Sequence, residues 1–337
     1  MREEEALYDV TIIGGGPAGL FTALYSGMRE LRTKIIEGSS RLGGRVLLYP
    51  DKMIWDIGGI PIISGRALVE QLIVQASTFH PTIVMEQRIV SVDKREDGTF
   101  RLTASGGEQH YSRTIILATG KGEPVPKKLE LADAECYEGM HVHYIVRDLE
   151  RFRGKRVIIS GGGNSAVDWA NALGSIAAQV TVVHRRDLFI GLEANVARMY
   201  GGPARIMTPY ELKAIHGDGG IVEGATVVHA ENGSAVRLEA DELLVNHGFR
   251  GDPGPLATWG IELEEDRIQV GAGMVTSIPG IFAAGDAVHY DGKLKLIAGG
   301  FMEGPTALNS AKLYMDPAAN TMAAVSTHHA KLLGMMR

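Results

Sequence analysis

The sequence predicts an α/β protein of two domains, each a parallel sheet with a small antiparallel sheet added. Three observations predict it. Apolar β-branched runs alternate with helical patterns, one strand–turn–helix segment occurs twice, and short strands bounded by turn residues follow each copy. The first copy, YDVTIIGGGPAGLFTALYSGM, opens on the run Val10–Ile13, passes a glycine turn and continues with helical apolar spacing. The second, KRVIISGGGNSAVDWANALG, does the same from Val157 to Ile159. Each leads into another apolar run, Thr33–Glu37 and Gln179–Arg186, so both read as β-α-β units with buried parallel strands. Residues near 82–118 hold short strand patterns joined by the turn signals Asp97-Gly98 and Gly106-Gly107, and similar strands recur from about 204 to 248.

Composition narrows the class. A chain of 337 residues is long enough for about two domains, and 45% apolar with 22% charged residues is an ordinary globular balance. The 43 glycines keep no triplet period, which excludes collagen and points to many tight turns. A net charge of −6 gives no general affinity for nucleic acid or for an anionic membrane. The single cysteine, Cys136, excludes an intrachain disulfide, a CxxC redox pair and a cysteine-built zinc site. The start MREEEALYDV is acidic without an apolar export segment, and no apolar run reaches the length of a membrane span. A cytoplasmic protein is expected.

The two glycine turns carry the chemistry, and they make the domains Rossmann-like. In Gly14-x-Gly16-x-x-Gly19, Gly14 permits the tight turn, Gly16 lets a pyrophosphate approach the backbone, and Gly19 allows close helix–strand packing. The helix that follows points unpaired N–H groups and a positive dipole end at the phosphates. Gly161-x-Gly163-x-x-Ala166 has the same mechanics, with Asn164 and Ser165 opening its helix. Glu37 stands 23 residues after Gly14, and His184 stands 23 after Gly161. At that position Glu37 can accept hydrogen bonds from ribose hydroxyls, whereas His184, Arg185 and Arg186 can bind a 2′-phosphate through charge-assisted bonds. A solvated basic turn is the commoner reading of such a run alone. Its place at the ribose-reading corner favours NADPH over NADH.

A later strand, GIFAAGDA (Gly280–Ala287), ends in Gly285-Asp286. Together with GGGPAG, Glu37, Ala118–Gly120 and HRR, it resembles the two-dinucleotide flavoprotein reductases built like thioredoxin reductase. Further stretches are similar to ferredoxin (flavodoxin)–NADP reductases of the thioredoxin-reductase-like type. These are RLGGR (Arg41–Arg45), LYPDKMIWDIGG (Leu48–Gly59), VVHRRD, KLKLIAGGFMEGPTALNSAKLYMDP (Lys293–Pro317) and the Ser326-Thr327 tail. The resemblance implies an FAD domain split over residues 1–119 and 249–337, an inserted NADPH domain over 120–248, and a homodimer whose C-terminal tail covers a flavin. It implies that Glu37 meets the adenosine ribose and that Tyr49 stacks on a flavin face. Gly44, Arg45, Asp286 and Thr327 would line the flavin, and Ile89 would touch the adenine side through its backbone. Without the family, Tyr49 reads as a packing tyrosine.

The chain departs from the family in three places. Arg45 stands where a glutamine is usual, Val325 where a tail histidine stacks, and Ile190 where a third basic residue follows HRRD. A cation at Arg45 favours an anionic reduced flavin by charge attraction.

The implied chemistry needs no catalytic side chain. NADPH delivers hydride to the flavin and the protein supplies binding and electrostatics. Ferredoxin or flavodoxin is the implied acceptor. Such acidic carriers need a local positive surface, for which Arg29, Arg32, Lys34, Lys127, Lys128, Lys293 and Lys295 are candidates. A thioredoxin reductase would require the missing CxxC, and a low-molecular-weight disulfide reductase would place a cysteine where Ala18 stands. An NADPH-dependent quinone or dye reductase and a degenerate flavin-binding regulatory module stay open. His141-x-His143 puts two imidazoles at strand spacing without further matched ligands, so no metal is expected. Trp55, Trp169 and Trp259 read as core or boundary residues.

Overall fold

A computed structural model describes residues 6–122, 125–131, 134–146, 148–250, 254–322 and 324–334. The chain forms two compact units, Met1–Glu123 with Gly251–Arg337, and Pro124–Arg250.

The first unit opens with β1 (Leu7–Ile13), α1 (Pro17–Met28) and β2 (Thr33–Ile36). Proline at the start of α1 suits a position whose N–H has no intrahelical partner. After α2 (Gly65–Ser77) come β3 (Thr82–Val84), β4 (Ile89–Lys94), β5 (Phe100–Ala104) and β6 (Gln109–Leu117). The second unit contributes β7 (Val142–His143), β8 (Arg156–Ser160), α3 (Asn164–Leu173), β9 (Gln179–Val183), α4 (Glu193–Tyr200) and β10 (Arg205–Met207). It continues through β11 (Tyr210–Asp218), β12 (Ile221–His229), β13 (Ala235–Glu239) and β14 (Glu242–Val245). The chain then returns to the first unit with β15 (Ile281–Ala283) and α5 (Ile297–Met315).

The sheet of the first unit has the order β3-β2-β1-β6-β5-β4, with β15 also on β6. Strand β6 pairs with β1 on one edge and shares its other edge between two partners. Residues Gln109–Ser112 pair antiparallel with β5, while Ile115–Leu117 pair parallel with β15. The added antiparallel strands are therefore continuous with the parallel sheet. Alternation places Val10, Ile12 and Ile116 in one core and Ile13, Ile115 and Leu117 in the other, so both faces are covered. In the second unit a parallel sheet of order β7-β14-β8-β9-β10 accompanies a separate antiparallel sheet β11-β12-β13. Ile158 faces one core while Val157 and Ile159 face the other.

Lys34, expected as a surface docking cation, is 1% exposed. It lies on β2, an interior strand between β1 and β3, where no side chain reaches solvent. Its ammonium lies over the Tyr8 ring at 4.2 Å and 3.1 Å from His110 Nδ1. An ammonium only donates, so Nδ1 accepts and the imidazole is neutral, its Nε2–H donating to Gln87 Oε1 at 2.6 Å. Burial first, and then the Lys34 charge, hold His110 down at about 4 against an ordinary 6.5. Between those values the unfolded chain binds the extra proton, so stability falls as pH drops from 6.5 to about 4. Urea midpoints at pH 7 and pH 5 will show this fall, and His110→Gln will shrink it.

Candidate functional site

Each unit builds a concave turn between a parallel strand and the helix after it, β1 and α1 in the first and β8 and α3 in the second, and the glycines divide the labour alike. A Cβ added at Gly14 (φ +109°) would lie 2.4 Å from the Ala118 carbonyl oxygen, and one at Gly19 would lie 2.0 Å from that of Gly14. Both glycines are demanded by the fold. A Cβ at Gly16 would meet nothing nearer than the Gly44 Cα at 3.9 Å, so this position lies open above the N-terminus of α1. In the second unit a Cβ at Gly161 would lie 2.5 Å from the Asn246 carbonyl oxygen, while at Gly163 nothing lies within 4 Å. Ala166 is fully buried where the first unit has Gly19. The open glycines leave room for a phosphate against bare backbone N–H groups at a helix start.

The corner after each second strand differs in charge. Glu37, the residue following β2, accepts from the Gly15 N–H through Oε2 (2.7 Å) and from the Ser39 N–H through Oε1 (2.8 Å). Two backbone donors thus aim a half-buried carboxylate across the turn, and its other lone pairs can accept hydroxyl protons. His184, the residue following β9, packs so closely that a Cβ at Gly162 would lie 2.2 Å from its Nε2. Its ring also packs on Phe189 at 5.2 Å between centroids. Burial first, then the charges of Arg185 and Arg186, hold His184 below the ordinary histidine range. Both guanidinium groups are exposed. The next segment closes over the turn. Ile190 N–H donates to the Gly162 carbonyl (2.7 Å), and Leu192 N–H donates to Asn164 Oδ1 (3.1 Å). Asn164 therefore anchors this segment, while Ser165 is exposed beside it.

Around the first turn several loops converge. Gly43 N–H donates to the Gly15 carbonyl (2.8 Å), and a Cβ at Gly44 (φ +57°) would lie 3.0 Å from the Gly16 Cα. The short 3₁₀ helix Gly44–Leu48 thereby holds Arg45 and Tyr49 beside the turn. Gln87 N–H donates to the Glu37 carbonyl (3.1 Å), which brings the start of β4 and Ile89 to the same edge. Gly285 packs on Ala18 in the first turn of α1, where a Cβ would come within 2.9 Å, and this seats Asp286 alongside. Thr327 does not join them. Its tail is tied to the opposite end of α1, where Ala324 N–H donates to the Tyr25 hydroxyl (2.9 Å) and Arg29 donates to the carbonyls of Asn320 and Met322.

Several residues that sequence reasoning missed complete the site. Thr119, just after β6, and Asn246, just after β14, lie against Gly14 and Gly161. Each carries a buried side-chain oxygen with no hydrogen-bond partner among the described residues, Oγ1 and Oδ1 respectively. A polar ligand in the turn would supply one. Their shared signal is an apolar strand ending in a polar residue shortly before glycine, ILATG and LLVNHG. Lys121 Nζ lies 3.7 Å from Asp286 Oδ2. Glu303 of α5, 4% exposed, accepts from the Gly285 N–H (2.7 Å), the Tyr290 hydroxyl (2.8 Å) and the Lys293 ammonium. Burial, followed by Glu303, pushes Tyr290 up to about 12.

Two other residues lie elsewhere than expected. Lys293, expected as a docking cation, has a side chain only 4% exposed because it neutralises Glu303 inside the protein. Trp55, expected in a core or boundary, is 68% exposed, on the loop between the short strands Met53–Ile54 and Ile63–Ser64. His141 and His143 converge on the buried carboxylate of Glu242, with His143 Nε2 at 2.7 Å and His141 Nδ1 at 3.5 Å. Among the described residues no helix is long and apolar enough to cross a membrane, and no cluster of three or more ligating side chains could hold a metal.

Comparison with known proteins agrees with this architecture. The profile of the pyridine nucleotide-disulphide oxidoreductase family matches residues 8–311. A ferredoxin–NADP reductase 1 of Bacillus velezensis is 54% identical over 334 residues, 99% of each chain. One from Bacillus pumilus is 51% identical over 330 residues, 98% of this chain and 95% of its own. Among solved structures, a thioredoxin reductase of Lactococcus lactis superposes with a TM-score of 0.80 at 25% identity, over 91% of this chain and 98% of that one. The chain belongs to the pyridine nucleotide-disulphide oxidoreductase family, and within it stands with the ferredoxin–NADP reductases.

Proposed function

We propose that the first unit seats FAD, the second seats NADPH, and the enzyme is a ferredoxin–NADP reductase. The carrying observation is the opposite charge of two equivalent corners: an oriented carboxylate at Glu37, and His184 with two arginines at the other. Bound FAD supplies the redox chemistry, taking hydride from NADPH and passing single electrons to ferredoxin or flavodoxin.

The chain's own groups bind and orient. Open backbone at Gly16 and Gly163 admits the two pyrophosphates, and the starts of α1 and α3 offer them N–H donors and the positive end of a helix dipole. Glu37 accepts from the adenosine ribose of FAD, and Ile89 borders the adenine. Gly44, Arg45, Tyr49 and Asp286 border the flavin end. Arg185 and Arg186 hold the 2′-phosphate of NADPH, and His184 packs beside them against Gly162. A carboxylate in their place would repel that phosphate.

The reading extends to a cytoplasmic homodimer. It draws support from the tail, whose Thr327 is exposed and anchored at the end of α1 remote from its own turn, which suits a seat on the partner subunit's flavin. Thioredoxin is disfavoured as acceptor despite the structural likeness, since Cys136 is the one cysteine.

The test offers ferredoxin, flavodoxin, thioredoxin and quinone in parallel to the yellow purified protein during steady-state NADPH oxidation. Ferredoxin or flavodoxin should turn over fastest and thioredoxin not at all. A flavin that NADPH fails to bleach in stopped flow would overturn the assignment.

A further inference from the structure

The segment between the Gly285–Asp286 turn and α5 faces two ways. Inward, Lys293 reaches the buried Glu303, which also holds the Tyr290 hydroxyl and the Gly285 N–H. The segment is thereby anchored to the turn that bears Asp286. Outward, Leu294 is 67% exposed and Leu296 is 41% exposed, with Lys295 exposed between them. Two adjoining exposed leucines about a cation are poorly suited to water and well suited to a partner's surface.

Around this tip cations outnumber carboxylates, although Asp286 and the exposed Asp291 lie among them. Lys121 lies beside Asp286, and Arg267, Arg45 and Lys295 are all within Coulombic reach of its ammonium. Burial first, then these three cations, hold the Lys121 amine below the ordinary lysine range against the pull of Asp286. Four cations thus surround one carboxylate on a chain whose net charge is −6. Such a local positive field steers acidic partners and repels basic ones.

We propose that the tip Leu294–Leu296, backed by Arg267, Arg45 and Lys121, is the docking surface for an acidic one-electron carrier protein. The inference rests on the reading that electrons leave FAD for ferredoxin or flavodoxin, and it names where that partner sits. Acidic side chains of the carrier meet Lys295 and the cations behind it, while its apolar rim covers the two leucines. Docking there brings the carrier's redox group beside the turn of Asp286.

The experiment compares holoenzyme variants Lys295→Glu and Leu294→Ser with the parent, using ferredoxin and, separately, neutral p-benzoquinone, which needs no docking surface. In Lys295→Glu the Michaelis constant for ferredoxin should rise about tenfold and its dependence on ionic strength should weaken. Leu294→Ser should raise it less, without altering the salt dependence. Quinone reduction and the Michaelis constant for NADPH should match the parent in both. Ferredoxin constants within about twofold of the parent in both variants would overturn the docking surface. A parent enzyme that reduces quinone but neither ferredoxin nor flavodoxin would instead defeat the underlying reading, a result visible before any variant is made.

Discussion

Replacing both Arg185 and Arg186 by alanine should raise the Michaelis constant for NADPH about 100-fold while leaving that for NADH within about twofold. A hydrogen bond to a charged group contributes roughly 1.5–3 kcal/mol, and about 1.4 kcal/mol is tenfold in affinity. Both guanidinium groups are exposed, so water and salt hold each contribution at the low end of that range. Two such losses sum to about 3 kcal/mol, hence the factor of about 100. The phosphate cradle at Gly161–Gly163 is untouched by the change, so NADH, which has no 2′-phosphate, should be indifferent. Steady-state kinetics with each coenzyme decides the matter, and an equal loss for both would remove the second corner from coenzyme selection.

The second large effect lies inside the first unit. Lys293→Met should destabilise the protein by about 3–5 kcal/mol, because Glu303 would remain buried without its cation. The Tyr290 hydroxyl and Gly285 N–H still donate to it, at 2.8 and 2.7 Å, but neither carries charge. Pairing the change with Glu303→Gln removes the stranded charge and should recover most of the loss. Urea unfolding of the single and double variants, monitored alongside flavin release, measures both quantities. A single variant within about 1 kcal/mol of the parent would show that the pair does not hold this region together.

Parts of this architecture were legible in the chain because they depend on neighbours in sequence. The two strand–turn–helix segments announce themselves by apolar runs and glycine spacing, and the contrast between Glu37 and His184 follows from counting along two similar units. Tertiary partnerships were not legible. Lys34 and Lys293 look like any surface lysine, and only the assembled sheet and α5 reveal that one is enclosed by neighbouring strands and the other neutralises Glu303. The dual pairing of β6 was equally hidden, since one apolar run gives no hint that its halves have different neighbours. The convergence of His141 and His143 on Glu242 joins positions about a hundred residues apart, beyond the reach of any local period.

The backbone bonds that hold Glu37 have a further consequence for how such a molecule can change over time. Its carboxylate closes the loop that it also serves, so exchanging it for a basic residue would dismantle the loop along with the preference. Among the described residues nothing comparable braces Arg185 or Arg186, and they could be traded freely. Drift or engineering should therefore find the nicotinamide coenzyme easy to swap and the flavin nucleotide nearly frozen.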